Sequence, residues 1–273
     1  MSKYDVALPH TFTAGESIDL KSFSSAPPED LEFGKKGAYK QISANAVEMA
    51  EMAKRLYAEN DRSILLVLQG MDTAGKDGTI RSVMRGMNPT SCQVTSFKRP
   101  SEEEMDHDFL WRCHKAAPRR GNIGIFNRSH YEDVLIVRVH SLVPKSEWSQ
   151  RYELINDWEK LLSKNGTTVV KCFLHISKET QRERLQERVD IPEKHWKFNP
   201  ADLAERKLWG DYQKAYEVAL SKCSSDHAPW YIIPSDKKWY RNLVISQLLK
   251  KVLTDLDPQY PDAEEDFRGI VVE

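Results

Sequence analysis

The sequence predicts an α/β domain, a parallel sheet with helices on both faces and a helical lid. Three observations point there. Short apolar runs alternate with helical stretches along most of the chain. The runs are continuously apolar rather than alternating, as in strands covered on both faces. A glycine-rich segment follows the first run directly and leads into a helical stretch.

Residues 1–39 are punctuated by Gly15, Ser24-Ser25-Ala26-Pro27-Pro28, Gly34 and Gly37 and show no sustained period. They read as an extended arm or loop, available to pack on a neighbour. From Lys40 onward, Ile42, Val47, Met49, Met52, Ala53, Leu56 and Tyr57 recur at helical spacing. Ile64-Leu65-Leu66-Val67-Leu68 reads as a buried strand, and Gln93 to Phe97, Ile123 to Phe126, Thr167 to Ile176 and Trp230 to Ile233 as further strands. Ser101 with Glu104 forms a capping box that opens a helix to about Lys115. Asn199-Pro200 places a cap and a first-turn proline ahead of a helix reaching about Lys222. The last helix runs from about Trp239 to Leu256 and stops at Asp257-Pro258. One domain over 40–256 is expected, with a lid at about 178–200 and an acidic tail over 257–273.

Composition removes several function classes. The 273 residues carry 40 basic and 41 acidic side chains, a net charge of −1, so no excess of positive charge favours nucleic acid. No apolar stretch is long enough to span a membrane, and the N-terminus lacks a basic start followed by an apolar core. Cys92, Cys113, Cys172 and Cys223 form no C-x-x-C pair, which is the usage of a reduced, cytoplasmic protein. A strongly anionic ligand would need its basic contacts gathered locally.

The sharpest motif is Gly70-Met71-Asp72-Thr73-Ala74-Gly75-Lys76-Asp77-Gly78-Thr79, which fits G-x-x-x-x-G-K between a strand and a helix. Gly70, Gly75 and Gly78 let the backbone amides of Thr73, Ala74 and their neighbours converge on phosphate oxygens, and Lys76 adds a point charge. This makes the fold P-loop kinase-like. Asp77 stands where Ser or Thr normally ligates magnesium, and reads best as a helix-start carboxylate. Asp72, inside the loop, would repel a polyanion unless a cation intervened, which makes it a candidate ligand for Mg²⁺.

A second site follows Ile123-Gly124-Ile125-Phe126. Asn127 stands where such a strand often ends in a magnesium-binding Asp, and suits a metal-bound water or a phosphate better than direct ligation. Glu132 is a candidate for the missing carboxylate, with an ordinary surface acid as the alternative. Arg128 lies at the carboxyl ends of the strands, where a guanidinium fork suits phosphate; a salt bridge to Glu132 or Asp133 is the alternative. A third, basic stretch contains Arg182, Arg184, Arg188, Lys194, His195 and Lys197. Pairs such as Glu179–Arg182 and Arg184–Glu187 would make it a solvated helix, whereas like charges at Arg184 and Arg188 argue for an anionic ligand. Arg81, Arg85, Lys98, Arg99, Arg119 and Arg120 are further candidates for a positive surface.

The segments G-M-D-T-A-G-K-D-G-T, F-N-R-S-H-Y-E-D-V-L and E-K-H-W-K-F-N-P-A-D-L together resemble the polyphosphate kinase 2 family, with similarity from about Lys40 to about Leu249. The resemblance implies a P-loop kinase fold, Mg²⁺, and phosphoryl transfer between inorganic polyphosphate and adenine or guanine nucleotides. Asp72 and Lys76 match the family's phosphate loop, Arg128 its second motif, and Arg182 to Lys197 its lid. Asn127 and Glu132 exchange the Asp and Asn of many members, which is similar to the class III subgroup that accepts nucleoside mono- and diphosphates. A homo-oligomer, with a tetramer as its form, is also implied. An ATP-dependent nucleoside-monophosphate kinase and a non-catalytic phosphate-binding module are the alternatives.

Overall fold

A computed structural model describes residues 2–9, 11–263 and 271–272. The chain forms α1 (Lys35–Glu59), β1 (Ser63–Gln69), α2 (Lys76–Val83), β2 (Cys92–Ser96), α3 (Glu102–Met105), α4 (Trp111–Lys115) and β3 (Ile123–Asn127). It continues through α5 (Ile136–Val139), α6 (Lys145–Trp148), α7 (Arg151–Lys164), β4 (Thr167–His175), α8 (Lys178–Asp190), α9 (Ala201–Lys207), α10 (Trp209–Lys222), β5 (Trp230–Pro234) and α11 (Lys238–Leu256). The five strands pair in the order β2-β3-β1-β4-β5, all parallel. Every residue of central β1 is buried, which explains its unbroken apolar run. The carboxyl ends of the strands therefore lie along one side of the sheet, where the loops after β1 and β3 diverge on either side of the Leu68–Asn127 register pair.

Several predicted boundaries shift. Helix α1 begins at Lys35, five positions before Lys40, because Ala38 is buried beside Leu243 in a contact no local pattern reveals. The predicted helix over 101–115 is two helices. Its capping box is present, but Asp106-His107-Asp108 interrupts it, and Asp108 Oδ1 accepts from Leu110 N at 2.9 Å. The predicted helix after Pro200 divides at Leu208 into α9 and α10.

The arm packs on the core of its own chain. Phe12, Ile18 and Leu20 enter the main core, and Thr11 bridges antiparallel to Tyr231 of β5. In the tail, Gln259 N donates to Glu59 Oε2 at 3.1 Å and Tyr260 Oη to Glu51. The rest of the predicted tail, 264–270 and 273, lies outside the described residues.

One polar cluster is sealed in the core. Lys171 Nζ on β4 donates to Glu159 Oε2 at 2.6 Å, to Tyr131 Oη at 2.8 Å and to the Cys223 carbonyl at 2.5 Å. His130 Nε2 lies 3.1 Å from Glu159 Oε1. Lys171 and Glu159 are both 0% exposed, so each charge depends on the other. The cluster ties β4 and α7 to the turn just beyond Arg128.

Candidate active site

Strand β1 ends in a loop whose backbone is set by three positive φ angles, at Gly70 (154°), Thr73 (65°) and Gly75 (102°). Added carbon at Gly70 would stand 2.8 Å from the Leu174 carbonyl, so the close strand approach requires glycine there. Helix α2 then starts at Lys76, with no side chain among the described residues capping it. Its first amides and positive end are thus left for an anion. Lys76 Nζ donates back to Gly70 O at 2.8 Å. Burial, and next the charge of Arg128, pull the Lys76 pKa below the ordinary lysine range, against the pull of Asp72, Glu132 and Asp77.

The loop opens into a cavity of about 650 Å³ at the strand ends. Among the described residues, eleven lysines and arginines line it, against four acids (Asp72, Asp77, Glu187 and Asp202), and Phe97 is the one apolar side chain. In a chain with balanced charge, this is the local concentration of positive groups that a polyanion requires. A second cavity of about 540 Å³ starts at Pro100, next to Arg99 of the first, and carries the apolar walls Met105, Phe109, Val143 and Leu154 that the first lacks.

The expected residues divide into those that face the cavity and those that support it. Asp72, Thr73, Gly75, Lys76, Asp77, Gly78, Asn127 and Arg128 line it, as do Arg184, Arg188, Lys194 and Lys197 from the lid. Gly70 and Ala74 do not; their carbonyls accept from Lys76 and from Arg184 and Arg241. Asp77 is a helix-start residue as expected, and its Oδ1 accepts from Asn127 Nδ2 at 2.7 Å. Arg128, itself at φ 62°, donates to Asp72 Oδ1 at 3.1 Å rather than to Glu132 or Asp133. Burial works against the charge on Arg128, but Glu132 and Asp72 outweigh it and the pKa ends raised.

Two further expected residues do not line the cavity. Glu132 is absent from the cavity lining; its carboxylate acts on Lys76 and Arg128 through space instead. Arg182 also lies outside, paired with Glu179 on an exposed helical face, because one turn of helix brings those two together. The same logic does not hold for Arg184, which donates to the Thr73, Ala74, Ser235 and Asp236 carbonyls. Lid residue Arg188 is held by the Lys197 carbonyl and Asp202, and Lys194 by Glu187. Of the six further basic candidates, Arg81, Lys98 and Arg99 line the cavity, whereas Arg85, Arg119 and Arg120 do not.

Sequence reasoning missed Lys238 and Arg241, which bring the start of α11 to the cavity. A signal was present for Arg241. It shares helical spacing with Val244, Ile245 and Leu248, and a charge on an apolar face asks for a partner. It also missed Gln181, whose Nε2 donates to the Asp72 carbonyl at 3.2 Å.

Magnesium fits this donor set in one particular way. Among the described residues no group of three or more His, Cys, Asp or Glu is placed to cage a metal. Asp72 and Asp77 both present carboxylates to the cavity. One or two carboxylates, completed by phosphate oxygens and water, is how Mg²⁺ is commonly held. The buried Thr73 Oγ1, without a hydrogen-bond partner in the loop, is a further polar atom at the same wall.

Comparison with known proteins agrees with this geometry. A family model described as Polyphosphate kinase 2 (PPK2) matches residues 32–261. The chain is 48% identical over 256 residues to an AMP/ADP-polyphosphate phosphotransferase of Meiothermus ruber, covering 94% of this chain and 96% of the relative. It is 45% identical to an ADP-polyphosphate phosphotransferase of Rhodopseudomonas palustris, over 91% and 90% of the two chains. The crystal structure of polyphosphate kinase 2 from Arthrobacter aurescens TC1 superposes with a TM-score of 0.90 at 41% identity, covering 96% of this chain and 95% of that one.

Proposed function

The chain belongs to the polyphosphate kinase 2 family, and from that membership we propose that it moves a phosphoryl group between inorganic polyphosphate and AMP or ADP. The observation that carries this reading is the cavity at Gly70–Gly78, where eleven cationic side chains face four acids with almost no apolar wall. Such a lining suits a chain of phosphates and offers little to a base or a sugar.

The acceptor is itself a phosphate, ionised near neutral pH, so no general base is needed. The work is to bring two anions together and to stabilise the charge on the transferring group. The uncapped start of α2 and Lys76 hold the donor's terminal phosphate, and Arg128 spans toward the acceptor. An oxygen of the acceptor's terminal phosphate forms the new P–O bond while the bridging P–O bond of the donor breaks. The shortened chain keeps that bridging oxygen and its negative charge, which the cationic lid residues Arg188, Lys194 and Lys197 balance. Mg²⁺ held by Asp72 with Asp77 would neutralise phosphate charge between the reactants. Asn127 would orient Asp77 for that role through its hydrogen bond.

The same proposal includes adenine nucleotides as first acceptors, guanine as a second base, and a homo-oligomer, tetrameric by family resemblance. Sizing the protein in solution tests the last point. No helix among the described residues is long and apolar enough to cross a membrane. The central experiment supplies polyphosphate, Mg²⁺ and either AMP or ADP without ATP. ADP or ATP should form. Binding without turnover, or an absolute need for ATP as donor, would overturn the reading.

A further inference from the structure

Two buried guanidinium groups meet behind the phosphate loop, and no carboxylate among the described residues is hydrogen-bonded to either. Arg241 Nη1 donates to the Ala74 carbonyl at 2.8 Å, and its Nε and Nη2 donate to Asn242 Oδ1 at 3.1 and 2.9 Å. Arg184 Nη1 donates to the Thr73 carbonyl at 2.9 Å and to the same Ala74 carbonyl at 3.3 Å. Arg241 is only 2% exposed. It also occupies the space over the loop: a Cβ on Gly75 would stand 2.0 Å from its Nη1.

Other buried or half-buried arginines of this protein are treated differently. Arg112 pairs with Glu104 and Arg151 with Asp133. A buried cation without a counter-charge is costly, and a second one beside it adds repulsion. Burial, followed by the charge of Arg184, accordingly brings the Arg241 pKa down to about 9. Asp236, Glu187 and Glu183 offset part of the Arg184 charge through space; both arginines line the cavity, from which an anion can approach Arg241.

We infer that Arg241 is a positioning residue of the phosphate site, holding the Ala74 carbonyl turned away so that the loop amides face the ligand, and leaving its own charge for the bound phosphate chain to balance. Arg184 shares the hold on that carbonyl from the lid side. The inference rests on the reading of the cavity as the polyphosphate site. It gives Gly75 a role beyond its turn, since the guanidinium fills the place of a side chain.

The test measures calorimetric binding of inorganic tripolyphosphate, without nucleotide, to the wild type, Arg241→Met and Arg241→Lys over a range of salt concentrations. The methionine variant should bind about tenfold more weakly, the loss of one charge-assisted contact, and its log affinity should fall less steeply with log salt, by about one ion. Its ligand-free form should melt no lower than the wild type. The lysine variant should keep the salt slope but lose kcat with KM for polyphosphate little moved, because one ammonium cannot hold the loop as the fork does. A methionine variant that melts lower yet binds with wild-type affinity and slope would reduce Arg241 to a packing residue and overturn the inference. If that variant does not fold, wild-type kcat in the lysine variant overturns it instead. A wild type that fails to bind tripolyphosphate would reject the phosphate reading of the cavity, a result distinct from either.

Discussion

Arg128 Nη2 stands 3.1 Å from Asp72 Oδ1, an ion pair that joins the loop after β1 to the loop after β3. The group proposed to hold phosphate and the group proposed to hold metal thus neutralise each other before either ligand arrives. Both side chains are partly exposed, so the pair contributes little to stability and is free to exchange partners. On the proposed reading, acceptor phosphate would take the guanidinium, leaving the carboxylate free to hold Mg²⁺.

Asp72→Asn should therefore raise the Mg²⁺ concentration needed for half-maximal turnover by about tenfold or more, while the protein stays folded. A magnesium titration of turnover with each nucleotide decides it. An unchanged titration would remove Asp72 from the metal site.

Lys76→Ala should lower kcat by about two to three orders of magnitude, the usual cost of losing a fixed charge on a transferring group, with circular dichroism and melting temperature preserved. The depressed pKa of Lys76 adds a pH dependence. In the free enzyme the ammonium is lost as pH rises through that depressed value, so kcat/KM for polyphosphate should decline on the alkaline side before the ordinary lysine value of 10.5. Lys76→Arg, whose charge does not titrate there, should flatten that limb even if it is slower throughout.

Asn127→Asp replaces the donor facing Asp77 Oδ1 with a second carboxylate. Two carboxylates at that separation repel unless a cation lies between them. The variant should bind Mg²⁺ more tightly in the absence of phosphate, and its relative rates with AMP and ADP should change. Isothermal titration with MgCl₂ and a pair of acceptor assays give the readouts, and identical behaviour in both would count against the role given to Asn127.

Lys171→Met leaves Glu159 buried without its ion partner and should destabilise the protein by about 3–5 kcal/mol in urea unfolding. Adding Glu159→Leu should recover a substantial part of that loss, because an apolar pair escapes the desolvation of both charges. A double variant no more stable than the single one would show that Tyr131, His130 and the Cys223 carbonyl, rather than the ion pair, set the cost.

Strand positions and the phosphate loop were legible in the sequence because each has a local signature. Ile64 to Leu68 is apolar throughout, and the Gly70–Thr79 motif fixes its own backbone. Lid chemistry was legible only in part. Arg182, Arg184 and Arg188 look alike as letters, yet one pairs with Glu179, one caps carbonyls of the phosphate loop and one is held by Asp202. Which of these applies depends on where α8 lies over the sheet, a tertiary fact. Glu132 is a related case: it follows Asn127 closely along the chain and acts on Lys76 and Arg128 through space, yet it does not line the cavity, which depends on the turn after β3. Arg241 comes from the far end of the chain, and only the packing of α11 against the loop reveals it.

The family match begins at residue 32, but the folding unit does not. Phe12, Ile18 and Leu20 belong to the core, and Thr11 lies against the outer rim of β5, the last strand of the sheet. Ser25 reaches further, its Oγ donating to Asp236, whose own carbonyl receives Arg184. Trimming the protein to the matched span would strip the cover from an open sheet margin and invite strand-to-strand self-association. Shortened versions prepared on homology alone should precipitate, however complete their catalytic motifs.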